Sequence, residues 1–279
     1  MPERCGAART TSRDGGPVTP PSNRTAMAAN PVLHRWLREA VMRYEPDLVA
    51  VFRKHGPNAT WPMQARDVDE LVTKLEAGGH FVALPKEPAA LANILEVSLV
   101  DFLLGEIANL RGATAQRGTE RGYPDLELGG ERFGGGHHAV DIKVARRNKT
   151  GTATQSRITL YTGNTYFRYP QLPWPGSLRP FDEYESHIDL IGIYTLDEAL
   201  PGRIRDLELL VHEPWKIASR QRSSTTREYL GAVQRLDDLR AGRGEFDTEA
   251  EFYEFWRRYP FTIGRATQQQ LDKVLRERS

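Results

Sequence analysis

The sequence predicts an α/β protein, a sandwich built on one mixed β-sheet, and three observations predict it. Apolar residues recur at helical spacing in the N-terminal part; a run of short strand-like segments separated by turn residues follows; an aromatic-faced helical pattern lies near the end. Leu33, Trp36, Leu37, Val41 and Tyr44 define an amphipathic helix over residues 33–51, and residues 67–75 suggest another. Residues 79–84 form a short strand stopped by Pro85. Pro88, favoured in a first helical turn, opens a long helix to about residue 110. Strands are expected at 124–128 and 139–144, joined by a Gly-rich turn at 129–136, and again at 158–161, 190–194 and 207–212. Residues 249–259 form the aromatic-faced helix, whose Phe252, Phe255, Trp256 and Tyr259 read as packing residues. Residues 1–28 read as a disordered leader ahead of one domain over 29–279, with Met27 as an alternative start.

Composition narrows the class. With 39% hydrophobic and 27% charged residues, the 279-residue chain is globular. It holds no apolar run of eighteen and no apolar secretory segment at its start, so the expectation is a cytoplasmic protein with no membrane partner. The single cysteine, Cys5, excludes an intramolecular disulfide framework and a cysteine-based zinc site. The net charge is only +1, but its distribution is uneven. Residues 143–180 carry seven basic residues (Lys143, Arg146, Arg147, Lys149, Arg157, Arg168, Arg179) and no acid. Residues 214–227 add Lys216, Arg220, Arg222 and Arg227, again without an acid. Such gathering suits a nucleic-acid-binding enzyme; solvated loops are the alternative.

The motif that carries chemistry is Tyr123-Pro124-Asp125, followed sixteen residues later by Asp141-Ile142-Lys143. Two carboxylates can hold a hard cation beside a scissile phosphate, and the cation lowers the pKa of a bound water. Lys143, two residues from Asp141 on a strand, leaves the pleat on the same side and reaches the same phosphate or water. The pattern P-D…D-x-K is that of the PD-(D/E)xK nucleases. Taken alone it also fits a turn aspartate and two solvated strand charges. Glu96 adds a third acid: it shares a helix face with Ala92, Leu99, Val100 and Leu103. A carboxylate on an apolar face is costly unless a cation or donors meet it, or unless it reaches out to water. His137-His138 is read as a pair of solvated turn residues, because neighbours on a strand face opposite ways. Gly134-Gly135-Gly136 is not a phosphate loop, since no helix with Lys-Ser/Thr follows. Trp174, in a Pro-rich insert, reads as loop packing.

From about residue 79 to residue 259 the chain resembles the EcoRV-type restriction endonucleases, within the PD-(D/E)xK superfamily. The match is collinear through the strand and helix ending at Glu96, Tyr123-Pro124-Asp125, Asp141-Ile142-Lys143, Thr159-Leu160, Pro180-Phe181-Asp182-Glu183-Tyr184 and His187. It continues through Gly192-Ile193-Tyr194-Thr195, Trp215-Lys216-Ile217-Ala218, Ser224-Thr225-Thr226, Gly242-Arg243-Gly244 and the segment from Phe246-Asp247 to Phe255-Trp256-Arg257-Arg258-Tyr259. The resemblance implies a restriction-endonuclease-like mixed sheet flanked by helices, with residues 29–90 helical and dimer-forming and 91–279 catalytic and DNA-reading. It implies Asp125, Asp141 and Lys143 as catalytic residues, with Glu96, Asp125 and Asp141 as ligands of Mg²⁺ and the Ile142 carbonyl facing the metal. It implies a homodimer cutting both strands of a palindromic duplex DNA site to 5′-phosphate and 3′-hydroxyl ends, paired in its system with a cognate DNA methyltransferase.

Recognition residues follow from the same resemblance. Residues 220–227 occupy the place of the family's major-groove loop, which there reads Ser-Gly-Asn-Thr-Thr. Here Ser223, Ser224, Thr225 and Thr226 stand in it, one residue shorter and without Gly or Asn, flanked by Arg222 and Arg227. Hydroxyls and methyls can read base edges, but a bidentate adenine reader is missing, so GATATC is the leading site and is not assured by the loop. Arg121, in the loop at 118–122, is expected near the minor groove, and Asn164 and Thr165 lie in the segment that lines the DNA backbone. Two other functions stay open: a repair nickase of the same superfamily, and a sequence-specific DNA-binding protein that no longer cleaves.

Overall fold

The computed structural model describes residues 30–46, 66–67, 69–70, 73, 88–119, 122–197, 199–200, 203–262 and 264–277. The expected leader, the strand at 79–84, Arg121 and most of the helix at 67–75 lie outside the described residues. Along the chain run α1 (Pro31–Val41), α2 (Pro88–Ala108), β1 (Thr114–Arg117), β2 (Leu126–Gly129), β3 (His137–Arg146), β4 (Thr159–Tyr161) and α3 (Thr165–Arg168). They are followed by β5 (Ser186–Leu196), β6 (Ile204–His212), β7 (Ala218–Arg222), β8 (Leu230–Ala232), α4 (Leu236–Ala241), α5 (Glu249–Arg258) and α6 (Arg265–Glu277).

The main sheet has the order β1-β2-β3-β5-β6, and the smaller sheet the order β4-β8-β7. Only β3 and β5 pair in parallel in the main sheet, so it is mixed, as expected. A parallel pair cannot be closed by a hairpin, and the connection from β3 to β5 accordingly carries β4 and α3 across the sheet.

Period-two alternation then sorts the side chains into two cores. Val140, Ile142, Ile188, Leu190 and Val211 face α1 and α2, meeting Leu33, Leu37, Leu99 and Leu103. Ala139, Ile191 and Ile193 face the opposite way, toward Leu160 and Tyr161 of β4, Leu230 and Ala232 of β8, and Phe252 and Trp256 of α5. The result is three layers: two helices, the large sheet, and the small sheet with its helices. Phe252 and Trp256 are fully buried, so the aromatic face of α5 is core. Trp174 packs with Leu172 against Leu271 and Val274 of α6, which is where the Pro-rich insert is anchored.

The first helix is set by local chemistry. Asn30 caps it, its side-chain oxygen accepting the Leu33 amide at 3.0 Å, and Pro31 fills the first position. The same Asn30 amide donates to the Phe133 carbonyl, which ties α1 to the turn before β3. The helix ends at Val41 rather than running on toward residue 51. His138 is a correction: it is buried, hydrogen-bonded to Ser186 Oγ at 2.9 Å and to the Phe133 carbonyl oxygen at 3.2 Å, while His137 alone is exposed. Opposite faces of one strand gave the two histidines opposite surroundings.

Candidate active site

The site is built where β2 parts from β3. The antiparallel register pairs Leu126 with Val140, and the pairing stops there. Asp125 and Asp141 are therefore the next residues on two diverging strands. Beyond this point β3 keeps β5 on one side and, among the described residues, pairs with no strand on the other, so its N–H groups there have no ladder. Carboxylates take them. Asp125 Oδ2 accepts the Ile142 amide at 2.6 Å, and Glu96 Oε1 of α2 accepts the Val144 amide at 3.2 Å. The Gly118 amide donates to the Asp125 carbonyl at 2.8 Å, and a Cβ on Gly118 would stand 1.8 Å from the Pro124 carbonyl oxygen. Only glycine lets the chain after β1 pass close enough to hold Pro124-Asp125 in place.

Asp141 and Lys143 share the face of β3 that carries Ala139, as their spacing requires. The Lys143 ammonium lies 2.5 Å from Asp141 Oδ2, 3.7 Å from Asp125 Oδ2 and 3.3 Å from the Ile142 carbonyl oxygen. The Lys143 ammonium thus touches both carboxylates of the P-D…D-x-K pattern and the carbonyl expected to face a metal.

A fourth acid joins them. Asp189 of β5 is the direct partner of Asp141 in the parallel register. It is 1% exposed, and its Oδ2 has no hydrogen-bond partner among the described residues. Sequence reading passed over it, although an aspartate inside the run Ile188-Asp189-Leu190-Ile191 is the signal that exposes it.

Electrostatics follow from burial and crowding. Burial raises the Asp141 carboxyl well above the usual range; Lys143 opposes the rise, and Asp125 and Asp189 add to it. Burial pushes Asp189 up to about 7 against the pull of Lys143. Burial likewise pushes Glu96 up to about 7, with Lys143 opposing and Asp125 contributing. Burial disfavours the charge on Lys143, but Asp141 and Asp125 outweigh it and raise its pKa. Four carboxyls face one ammonium.

That imbalance is what a divalent cation corrects. All candidate donors are carboxylate or carbonyl oxygens, the set a hard cation takes. The unpartnered Asp189 oxygen and the raised acids show a cluster short of positive charge. Among the described residues no three His, Cys, Asp or Glu side chains converge on one point; the Lys143 ammonium stands between Asp125 and Asp141. The residues fit the cation: Asp125 and Asp141 would hold it, with Glu96 behind them at the Val144 amide.

An aromatic wall closes one side. Tyr123 OH lies 2.6 Å from His187 Nδ1, and Phe181 stacks on the His187 ring at 3.9 Å. Burial drives His187 down to about 3, so its ring is neutral at ordinary pH.

The expected DNA-facing residues divide. Thr225, Thr226 and Arg227 are exposed at the tip between β7 and β8, closed by the Ser223 amide donating to the Tyr229 carbonyl. Ser224 Oγ accepts the Thr226 and Arg227 amides at 3.3 and 3.1 Å, and Ser223 Oγ lies 2.7 Å from Thr159 Oγ1. Arg227 stacks over Tyr229. Arg222 is ion-paired with Glu228 at 3.1 Å. Asn164 is a correction: its side chain is buried and donates to the Trp256 and Tyr259 carbonyls, so it clamps α5 instead of facing DNA. Thr165 next to it is half-buried. The basic segments are also less free than their sequence suggests. Arg147, Arg179, Lys216 and Arg220 pair with Glu208, Glu127, Glu213 and Glu251.

A mixed sheet carrying Pro-Asp on one strand and Asp-x-Lys on the next, with helices on one face and a small sheet on the other, defines a restriction-endonuclease-like nuclease. The family described as Restriction endonuclease EcoRV matches residues 57–277. The chain is 24% identical over 206 residues to the Type II restriction enzyme EcoRV of Escherichia coli, an alignment covering 67% of this chain and 81% of that enzyme. The chain belongs to the EcoRV family of restriction endonucleases and is a DNA endonuclease, of a family that uses a divalent metal. No helix among the described residues is long and apolar enough to cross a membrane.

Proposed function

We propose that the protein is the restriction half of a restriction–modification system: a cytoplasmic homodimer that cuts both strands of a short palindromic DNA site in a Mg²⁺-dependent hydrolysis. The observation that carries this reading is the placement of Asp125, Asp141 and Lys143 within one ammonium's reach at the splayed β2/β3 edge. A bound Mg²⁺ supplies charge neutralisation at the phosphate and a more acidic water. Asp125 and Asp141 hold it, fixed by the Ile142 amide and the β3–β5 register. Lys143 stabilises the charge that grows on the phosphate oxygens or orients the attacking water. The water oxygen bonds to phosphorus as the bond to the 3′ oxygen breaks, leaving the phosphate on the 5′ end and a proton on the 3′ oxygen. The leading site is GATATC. A DNA methyltransferase protecting that site belongs to the same system.

Digestion of an unmethylated phage genome with the purified chain, followed by sequencing of the ends, tests this reading. Cleavage with Mg²⁺ and none in excess EDTA is expected, with Ca²⁺ supporting binding but poor cutting. Full activity in EDTA would refute the metal-dependent mechanism.

A further inference from the structure

Asp189 is the acid that the proposed reaction does not use. A buried carboxylate without a partner is strongly disfavoured, so its position calls for a cation that reaches it. It faces Asp141 across the β3–β5 register, on the face that also carries Lys143. Lys143 is the cation that acts on it, and Asp125 and Asp141 the acids. Among the described residues Asp189 nevertheless has no ion pair, because the ammonium sits at 2.5 Å on Asp141 Oδ2.

That contact competes with a cation that takes Asp141 Oδ2. An oxygen that ligates Mg²⁺ at roughly 2.0–2.1 Å cannot also hold an ammonium in line with the metal, because the two positive charges would meet across it. Lys143 must then leave the Asp141 oxygen that the cation takes. An ammonium that leaves this oxygen needs another acceptor.

We propose that Asp189 is a positioning residue for Lys143: it receives the ammonium when Asp141 turns its oxygens to the divalent cation. This keeps Lys143 charged and aimed along the β3 face toward the phosphate while the cation occupies the Asp125/Asp141 edge. The inference rests on the proposed metal site.

The test uses the full chain with ¹⁵N-labelled lysine and Ca²⁺, the cation expected to bind without efficient cutting. The Lys143 ammonium signal is identified by its loss in Lys143→Met. In the wild type, Ca²⁺ binds by calorimetry and the Lys143 signal moves but persists, as for an ammonium held by hydrogen bonds. In Asp189→Asn, Ca²⁺ still binds and the signal persists without it, but adding Ca²⁺ abolishes the signal through exchange with water. With Mg²⁺, kcat of that variant falls about 10- to 100-fold while KM stays near the wild-type value. A signal that survives Ca²⁺ in Asp189→Asn, or an unchanged kcat, overturns the role of Asp189 alone. Absence of any Ca²⁺ response in the wild type overturns the metal-site reading and this inference with it. A crystal structure of the Ca²⁺-loaded wild type decides the matter without a variant: Lys143 Nζ is expected on Asp189, and an ammonium still on Asp141 refutes the proposal.

Discussion

The Asp125 carboxylate accepts the Ile142 amide at 2.6 Å, so a residue expected to bind metal also completes the free edge of β3. The two duties separate by substitution. Asp125→Ala removes both a ligand and the acceptor, and the orphaned N–H costs about 1 kcal/mol. Asp125→Asn keeps an oxygen for Ile142 but weakens the cation site. Both variants should lose cleavage by several orders of magnitude, and only Asp125→Ala should melt measurably below the wild type. Parallel cleavage and thermal-unfolding assays check this, and an Asp125→Asn enzyme that cuts normally would refute the ligand role.

Lys143 competes with a divalent cation for the same oxygens. Lys143→Ala should therefore abolish cutting yet bind Ca²⁺ at least as tightly as the wild type, since it leaves the acids without their ammonium. Calorimetry beside a cleavage assay separates the effects. Wild-type cutting by Lys143→Ala would remove the D-x-K assignment.

Glu96 offers a pH test. Burial raises its carboxyl to about 7, above its ordinary value. Between about 4.5 and 7 the folded, metal-free chain holds a proton that the unfolded chain has released, so the contribution of Glu96 to stability falls as pH rises through that window. Glu96→Gln should remove that slope. Its stability relative to wild type should rise from pH 5 to pH 8, by about 1–2 kcal/mol after allowance for partial solvent access. Cation affinity of the wild type should also increase with pH through about 7, as binding displaces the proton. Its loss of cleavage should be milder than that of Asp125→Asn. A flat difference across this range would show that Glu96 is ionised throughout.

The placement of the candidate site residues was legible because its logic is local. Spacing of two residues on a strand fixes Asp141 and Lys143 to one face, and an apolar helix face exposes Glu96 as an anomaly. The strands β1 and β7 were not legible: Thr114–Arg117 and Ala218–Arg222 are polar and lack alternation, although each pairs with the next strand in the chain. Long-range pairing also hid how the basic segments behave. Nothing near Arg220 in sequence announces Glu251, and nothing near Arg147 announces Glu208. Asn164 looked available for DNA because the residues that bury it, Trp256 and Tyr259, come some ninety positions later.

The recognition tip gives the last prediction. Thr225 and Thr226 are exposed on a turn that Ser224 Oγ holds through two backbone amides, so their side chains are presented by a fixed backbone. Thr226→Ala should reduce discrimination between cognate and altered sites by roughly 1–3 kcal/mol per lost base contact, with little change in binding to random DNA. Arg227, exposed and stacked on Tyr229, should behave oppositely: Arg227→Ala weakens binding to every sequence and lowers its salt dependence. Arg222 must leave Glu228 to reach a phosphate, so Glu228→Gln should strengthen non-specific binding. Binding titrations at several salt concentrations, with cut-end mapping of each variant, separate these effects. A palindrome other than GATATC would replace the proposed site and leave the tip as its reader. Asymmetric ends would refute the two-fold homodimer, and an Arg227→Ala enzyme with altered sequence preference but unchanged salt dependence would reverse the roles assigned to Thr226 and Arg227.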